Sequence, residues 1–168
     1  EVSAFNPYWI EEPVDGENIS LLTEIKNTCN MKVVTGEKQS GLVHFRELIH
    51  RNAADIFNPD ISGMGGLIDI IKISNEASNN GISISPHCWN SMSVSASAML
   101  HVCSSISNSE KAEIFPDYIN FSKKFCELPF DIIDNKAHIN KSAGLGIVIH
   151  ENILSELSIY SLDENSND

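Results

Sequence analysis

The chain predicts a parallel α/β fold from three observations. Short runs of branched apolar residues alternate with longer segments of helical period, a titratable residue stands at or near the end of each run, and no Pro/Gly/Ser linker divides the sequence. With 168 residues, 42% hydrophobic and 20% charged, the composition suits one packed core.

The elements follow in order. Tyr8-Trp9-Ile10 reads as the first strand, and Ile19, Leu22, Ile25 and Cys29 recur at helical spacing behind it. Lys32-Val33-Val34-Thr35 is the second strand, followed by a helix whose apolar face is Leu42, Phe45, Leu48 and Ile49. Asp55-Ile56-Phe57 is the third, followed by a helix with Leu67, Ile70, Ile71, Ser74 and Ala77 on one face. Gly81-Ile82-Ser83-Ile84-Ser85 is the fourth. The segment from Ser91 to Ser107 is nearly free of charge and reads as a buried helix. Lys111-Ala112-Glu113-Ile114 is expected as a fifth strand, and a last one includes Ala137-His138-Ile139. The stretch ENILSELSIY reads as a helix and the acidic tail 159–168 as disordered, leaving 1–158 as one domain. About five or six strands are too few to close an eight-stranded barrel and enough for an open sheet or part of a barrel.

Bulk charge narrows the function classes. A net charge of -12 repels phosphate backbones and anionic lipid, so nucleic acid and membrane surfaces are not expected partners. A small anionic substrate would need a local cation. No apolar run reaches the roughly 20 residues that span a bilayer, and the first residues lack a secretory pattern, so a cytoplasmic protein is expected. Cys29, Cys88, Cys103 and Cys126 form no CxxC pair and read as small hydrophobes in a reducing compartment.

In parallel α/β folds the chemistry gathers at the carboxyl ends of the strands. Here those ends carry Glu11 and Glu12 in "YWIEEP", Glu37 in "VVTGE", Asp60 in "IFNPD" and His87 in "SISPH"; Glu113 lies in the fifth, in "KAEIFPDY". Each alone equally suits a solvated charge, a turn or a helix cap. Together they suit three chemistries. Carboxylates from adjacent strands fit a hard divalent ion such as Mg²⁺. Asp60 and His87 fit a carboxylate-oriented imidazole base. Glu113, if protonated, could donate to a developing oxyanion.

The ordered set "WIEEP", "TGE", "NPDISGMGGL", "ISPHCW" and "AEIF", with "GLGIVI" after it, resembles the enolase superfamily and specifically its mandelate racemase group. The resemblance implies a (β/α) barrel enzyme of the TIM type in which Mg²⁺ binds a substrate carboxylate and a base removes the neighbouring carbon-bound proton. Glu11 and Glu37 would be metal ligands, His87 the base or acid with Asp60 as its partner, and Glu113 a hydrogen-bonding group to the substrate. A Lys or His base with one or two Mg²⁺ ions is the superfamily's stated pattern. Where the muconate-lactonizing branch has lysine, five positions before the paired glycine, this chain has Asp60, which points to the racemase and acid-sugar dehydratase branch.

Dehydration of a sugar acid is therefore the expected reaction, with racemisation or epimerisation of a 2-hydroxy acid as the alternative. Trp89, Asn90 and Phe115 are candidates for the substrate pocket. The resemblance also implies that a third metal-binding aspartate, the first three strands and the N-terminal capping domain precede residue 1. On that reading the chain is the later part of the barrel, inactive when isolated, with open edges that favour a homo-oligomer.

Overall fold

Four parallel strands form the central sheet in the order β1 (Trp9–Glu11), β2 (Lys32–Thr35), β3 (Ile56–Phe57) and β4 (Ser83–Ile84). The computed structural model describes residues 2–89 and 91–153. Each consecutive pair of strands is joined by a helix: α1 (Ile19–Thr28), α2 (Leu42–His50) and α3 (Leu67–Ser78). This is the repeated strand–helix–strand unit that the alternating pattern predicts.

The helices form where their apolar faces have something to cover. Leu22 of α1, Phe45 and Leu48 of α2, and Ile70, Ile73 and Ala77 of α3 are fully or almost fully buried with Val33, Ile56 and Phe57 of the strands. Phe45 and Phe57 meet edge to face at 5.2 Å, tying α2 to β3. Asn18 caps α1, its side chain accepting from the Leu21 N–H. The α3 face is rotated from its expected position: Ile73 is buried, whereas Ile71 and Leu67 are exposed. The sheet lies nearer the Ile70–Ile73–Ala77 stripe than the sequence spacing alone indicates. Gly65 and Gly66, at φ 118 and 94, make the tight turn into α3, with Gly66 as its N-cap.

The expected strand over Lys111–Ile114 does not form. The sheet ends instead in one bridge, Ile84 to Ser109, where the Ile84 N–H donates to the Asn108 carbonyl and the Glu110 N–H to the Ile84 carbonyl. Beyond it, the Ser85 hydroxyl takes the Lys111 carbonyl at 2.9 Å, replacing the next backbone rung. The segment is thus held to the end of β4 by a side chain and not by a backbone ladder.

The predicted buried helix is α4 (Ser93–Ser105), apolar nearly all round, with Ala96, Met99 and Val102 in the core. A short helix, α5 (Pro116–Ser122), follows. Residues 137–139 are in a strand, β7 (Lys136–Ile139), but it pairs antiparallel with β6 (Phe130–Ile133) in a separate hairpin. Asp134 and Asn135, at φ 50 and 59, make its two-residue turn. A further antiparallel pair joins β5 (Cys126–Glu127) to β8 (Val148–Ile149). Residues 151–153 are helical; the rest of the helix expected there, and the tail 159–168, lie outside the described residues, as does Asn90.

Candidate active site

Side chains alternate along a strand, and parallel register aligns the alternation from one strand to the next. Glu11 pairs with Val34, Val34 with Ile56, and Ile56 with Ser83. Residues two further on therefore present the same face, and Asn58 and Ser85 come to line one cleft with Glu11, Val34, Lys111 and Glu113. The cleft, of about 170 Å³, also takes in Trp9, Pro86, His87 and Ala112.

His87 and Asp60 leave their strands three residues past the last paired position and meet across the sheet end. His87 Nδ1 lies 2.8 Å from Asp60 Oδ2, and its Nε2 lies 3.7 Å from Glu37 Oε2. Asp60 is itself fixed, accepting from the N–H groups of Ser62 at 2.7 Å and Gly63 at 3.2 Å. The ring thus has one nitrogen held by a carboxylate and the other turned toward the carboxylate side of the cleft.

Glu11 and Glu37 are joined through Asn58, whose Nδ2 donates to Glu11 Oε1 at 2.8 Å and to Glu37 Oε2 at 3.4 Å. Partial burial raises the Glu11 carboxyl above its ordinary range, and the charges of Glu113 and Glu37 add to that; the Asn58 hydrogen bond and His87 act in the opposite direction. Glu113 Oε2 accepts from the Cys88 backbone N–H at 2.6 Å, which fixes it beside the residue that follows His87. Burial pushes the Cys88 thiol up to about 11.

Glu12, adjacent to Glu11, has a different task. It accepts from the Thr35 hydroxyl at 2.5 Å and the Gly36 N–H at 3.3 Å and pairs with Lys38 at 3.5 Å, so it ties β1 to the end of β2.

Five sequence-predicted residues, Glu11, Glu37, Asp60, His87 and Glu113, are thus brought into one neighbourhood. Trp89 is 57% exposed, stacks edge-on against Phe115 at 4.9 Å and lines a neighbouring cleft with Asp60, Met92 and Phe125. It therefore borders the base side rather than the carboxylate side. Sequence reasoning missed Asn58 and Lys111. Asn58 carried a usable signal, a polar residue at a strand end two places before Asp60. Lys111 is the cleft's own cation, with its ammonium 4.6 Å over the Tyr8 ring.

Among the described residues no three His, Cys, Asp or Glu side chains converge as a ready metal cage. The donor chemistry nevertheless fits a hard cation. Two carboxylates point at one shared amide donor, a third raises the charge density, and the buried Asn58 Oδ1 has no partner. A cation that takes a few protein oxygens and fills its remaining sites with water or substrate suits that set. Among the described residues no helix is long and apolar enough to cross a membrane, and all four cysteines are free.

Comparison with known proteins shows the family. The family described as enolase C-terminal domain-like matches residues 1–153. The chain is 28% identical over 152 residues to the N-succinyl-L-Arg/Lys racemase of Bacillus cereus, covering 90% of this chain and 40% of that protein. It is 31% identical over 87 residues to the L-talarate/galactarate dehydratase of Salmonella typhimurium, covering 52% and 22%. The crystal structure of an enolase from environmental genome shotgun sequencing of the Sargasso Sea is 96% identical, with a TM-score of 0.94, covering 96% of this chain and 43% of that one. The chain therefore spans about two-fifths of the length of the racemase and of the Sargasso Sea enolase.

Proposed function

The chain belongs to the enolase superfamily, in its mandelate racemase and acid-sugar dehydratase group, and from that premise we propose that His87 is the base that removes the proton next to a substrate carboxylate. The single observation that carries this is the 2.8 Å contact between His87 Nδ1 and Asp60 Oδ2. With Nδ1–H donated to Asp60, Nε2 is left as the basic nitrogen, and the carboxylate stabilises the imidazolium formed when it takes a proton. The dyad also sets the second step. The imidazolium is a general acid that can return its proton to a departing hydroxyl, which completes dehydration of a sugar acid.

The remaining residues bind and orient. Glu11 and Glu37 would hold Mg²⁺, which when bound supplies Lewis-acid stabilisation of negative charge on the substrate carboxylate. Glu113, fixed by the Cys88 N–H, is placed in the cleft to hydrogen-bond the substrate. Lys111 offers the local positive charge that an anionic substrate needs in a chain of net charge -12.

Dehydration is the reading we favour, because one His87–Asp60 dyad can supply both the base and the acid that it needs. Two carboxylates hold a divalent ion less firmly than three, so turnover is expected of a longer protein that supplies a further ligand, and the chain alone is expected to be inactive.

The test is α-proton exchange of sugar acids in D₂O with Mg²⁺, followed by NMR, on the Sargasso Sea enolase and its variant with Asn at the position matching His87. Exchange in the parent and its loss in the variant, with Mg²⁺ affinity retained, is the expected result. Unchanged exchange in the variant sinks the assignment.

A further inference from the structure

Asn58 is 2% exposed and stands on the row of strand-end residues that lines the cleft. Its backbone N–H donates to the Thr35 carbonyl at 3.1 Å, anchoring it to β2, and Pro59 behind it restricts its backbone to extended conformations. The side chain is therefore delivered to one place. There, a single amide nitrogen spans carboxylates from two different strands, Glu11 at 2.8 Å and Glu37 at 3.4 Å. The amide cannot be reversed, because Oδ1 in the place of Nδ2 would face two carboxylate oxygens with no hydrogen to offer them. In this orientation Oδ1 is buried without a partner. An unsatisfied buried acceptor is costly unless something that enters the cleft donates to it.

We infer that Asn58 is a positioning residue of the cation site: its Nδ2 holds the Glu11 and Glu37 carboxylates at a common aim before a divalent cation arrives. The stretch Asn58-Pro59-Asp60 then serves both halves of the site, with Asn58 setting the carboxylates and Asp60 setting His87. Two mutually repelling carboxylates are kept in register by one neutral amide. The inference rests on the reading of Glu11 and Glu37 as cation ligands, and the experiment separates the two.

Mn²⁺ is titrated into the 168-residue chain, with free ion read by electron paramagnetic resonance, for the unsubstituted chain, Glu11→Gln/Glu37→Gln, Asn58→Leu and Asn58→Asp. Asn58→Leu keeps the volume and removes the donor, so its Mn²⁺ dissociation constant should rise about tenfold, as for other groups that orient metal ligands. Asn58→Asp, which adds an oxygen ligand in place of the donor, should bind at least as tightly as the parent.

A folded Asn58→Leu with unchanged affinity, when the double Gln variant has lost binding, overturns the role of Asn58 and leaves the site reading intact. Unchanged binding by the double Gln variant, or none by the parent, overturns both. Should Asn58→Leu fail to fold, the parent decides. On addition of Mg²⁺ the Asn58 side-chain amide resonances must shift, while those of Asn108, bonded to the Ser74 and Ile82 carbonyls, stay in place. No shift at Asn58 overturns the inference.

Discussion

Replacing Gly36 by alanine tests whether the glycine of "TGE" is a geometric requirement of the carboxylate it precedes. Gly36 has φ +133, a conformation side chains disfavour by about 1–3 kcal/mol. A Cβ there would lie 3.0 Å from Phe45 Cε1, 3.2 Å from Phe45 Cζ and 3.3 Å from the Asn58 backbone nitrogen. Phe45 cannot give way freely, being 1% exposed and set edge-on against Phe57. Overpacking of this kind costs about 1–3 kcal/mol more, so Gly36→Ala should lose about 2–6 kcal/mol in urea unfolding. At this chain length that corresponds to a fall in Tm of at least about 4 °C. Because Glu37 follows directly, Mn²⁺ affinity should fall as well. The steric share is separable: in Phe45→Leu the facing ring is gone, so Gly36→Ala should cost about 1 kcal/mol less in that background than in the parent. A loss of under about 0.5 kcal/mol for Gly36→Ala would refute the reasoning.

Other outcomes follow from the same geometry. Glu11 carries a raised carboxyl, so the native state holds its proton to higher pH than the unfolded chain does; cation-free stability should decline as pH rises from 4.5 through the raised value. Glu11→Gln should remove that decline and stabilise the cation-free chain at pH 8, and a variant that is less stable at pH 8 by as much as at pH 4 contradicts the account. In the Sargasso Sea enolase, Ala at the position of Asp60 should lower kcat by about 10²–10⁴-fold with a smaller change in KM, checked by steady-state assay once a substrate is in hand. Cys88 is 2% exposed with its thiol at about 11, so at pH 8 it should resist alkylation in the native chain and label only on unfolding, as mass spectrometry would read; native labelling of Cys88 ahead of the half-buried Cys29 counts against the buried site.

Much of this was legible in the chain itself. Strand–helix alternation is a matter of period, and the apolar spacing of Leu22, Phe45, Leu48 and Ile70 predicts helices that the structure has, because burying those residues is what stabilises them. The grouping of Glu11, Glu37, Asp60, His87 and Glu113 was legible too, since parallel strands with right-handed crossovers carry their carboxyl ends to one rim. The segment 111–114 shows where this fails. Its composition is that of a strand, yet whether backbone rungs or the Ser85 hydroxyl hold it depends on a partner strand remote in sequence. The hairpin of β6 and β7 fails for a similar reason, as its strand reads correctly but its partner does not.

The sequence by itself determined which residue types arrive at the strand ends, because those are set by position in a repeating unit. Only the tertiary structure decided what each does there. Glu11 and Glu12 are neighbours of one type, yet Glu11 faces the cleft and Glu12 braces Thr35 and Gly36. Asn58 bridges two carboxylates because parallel register places it between them. Register is the physical reason: a shift of one residue would turn every strand side chain to the other face, and what fixes it is pairing across the sheet.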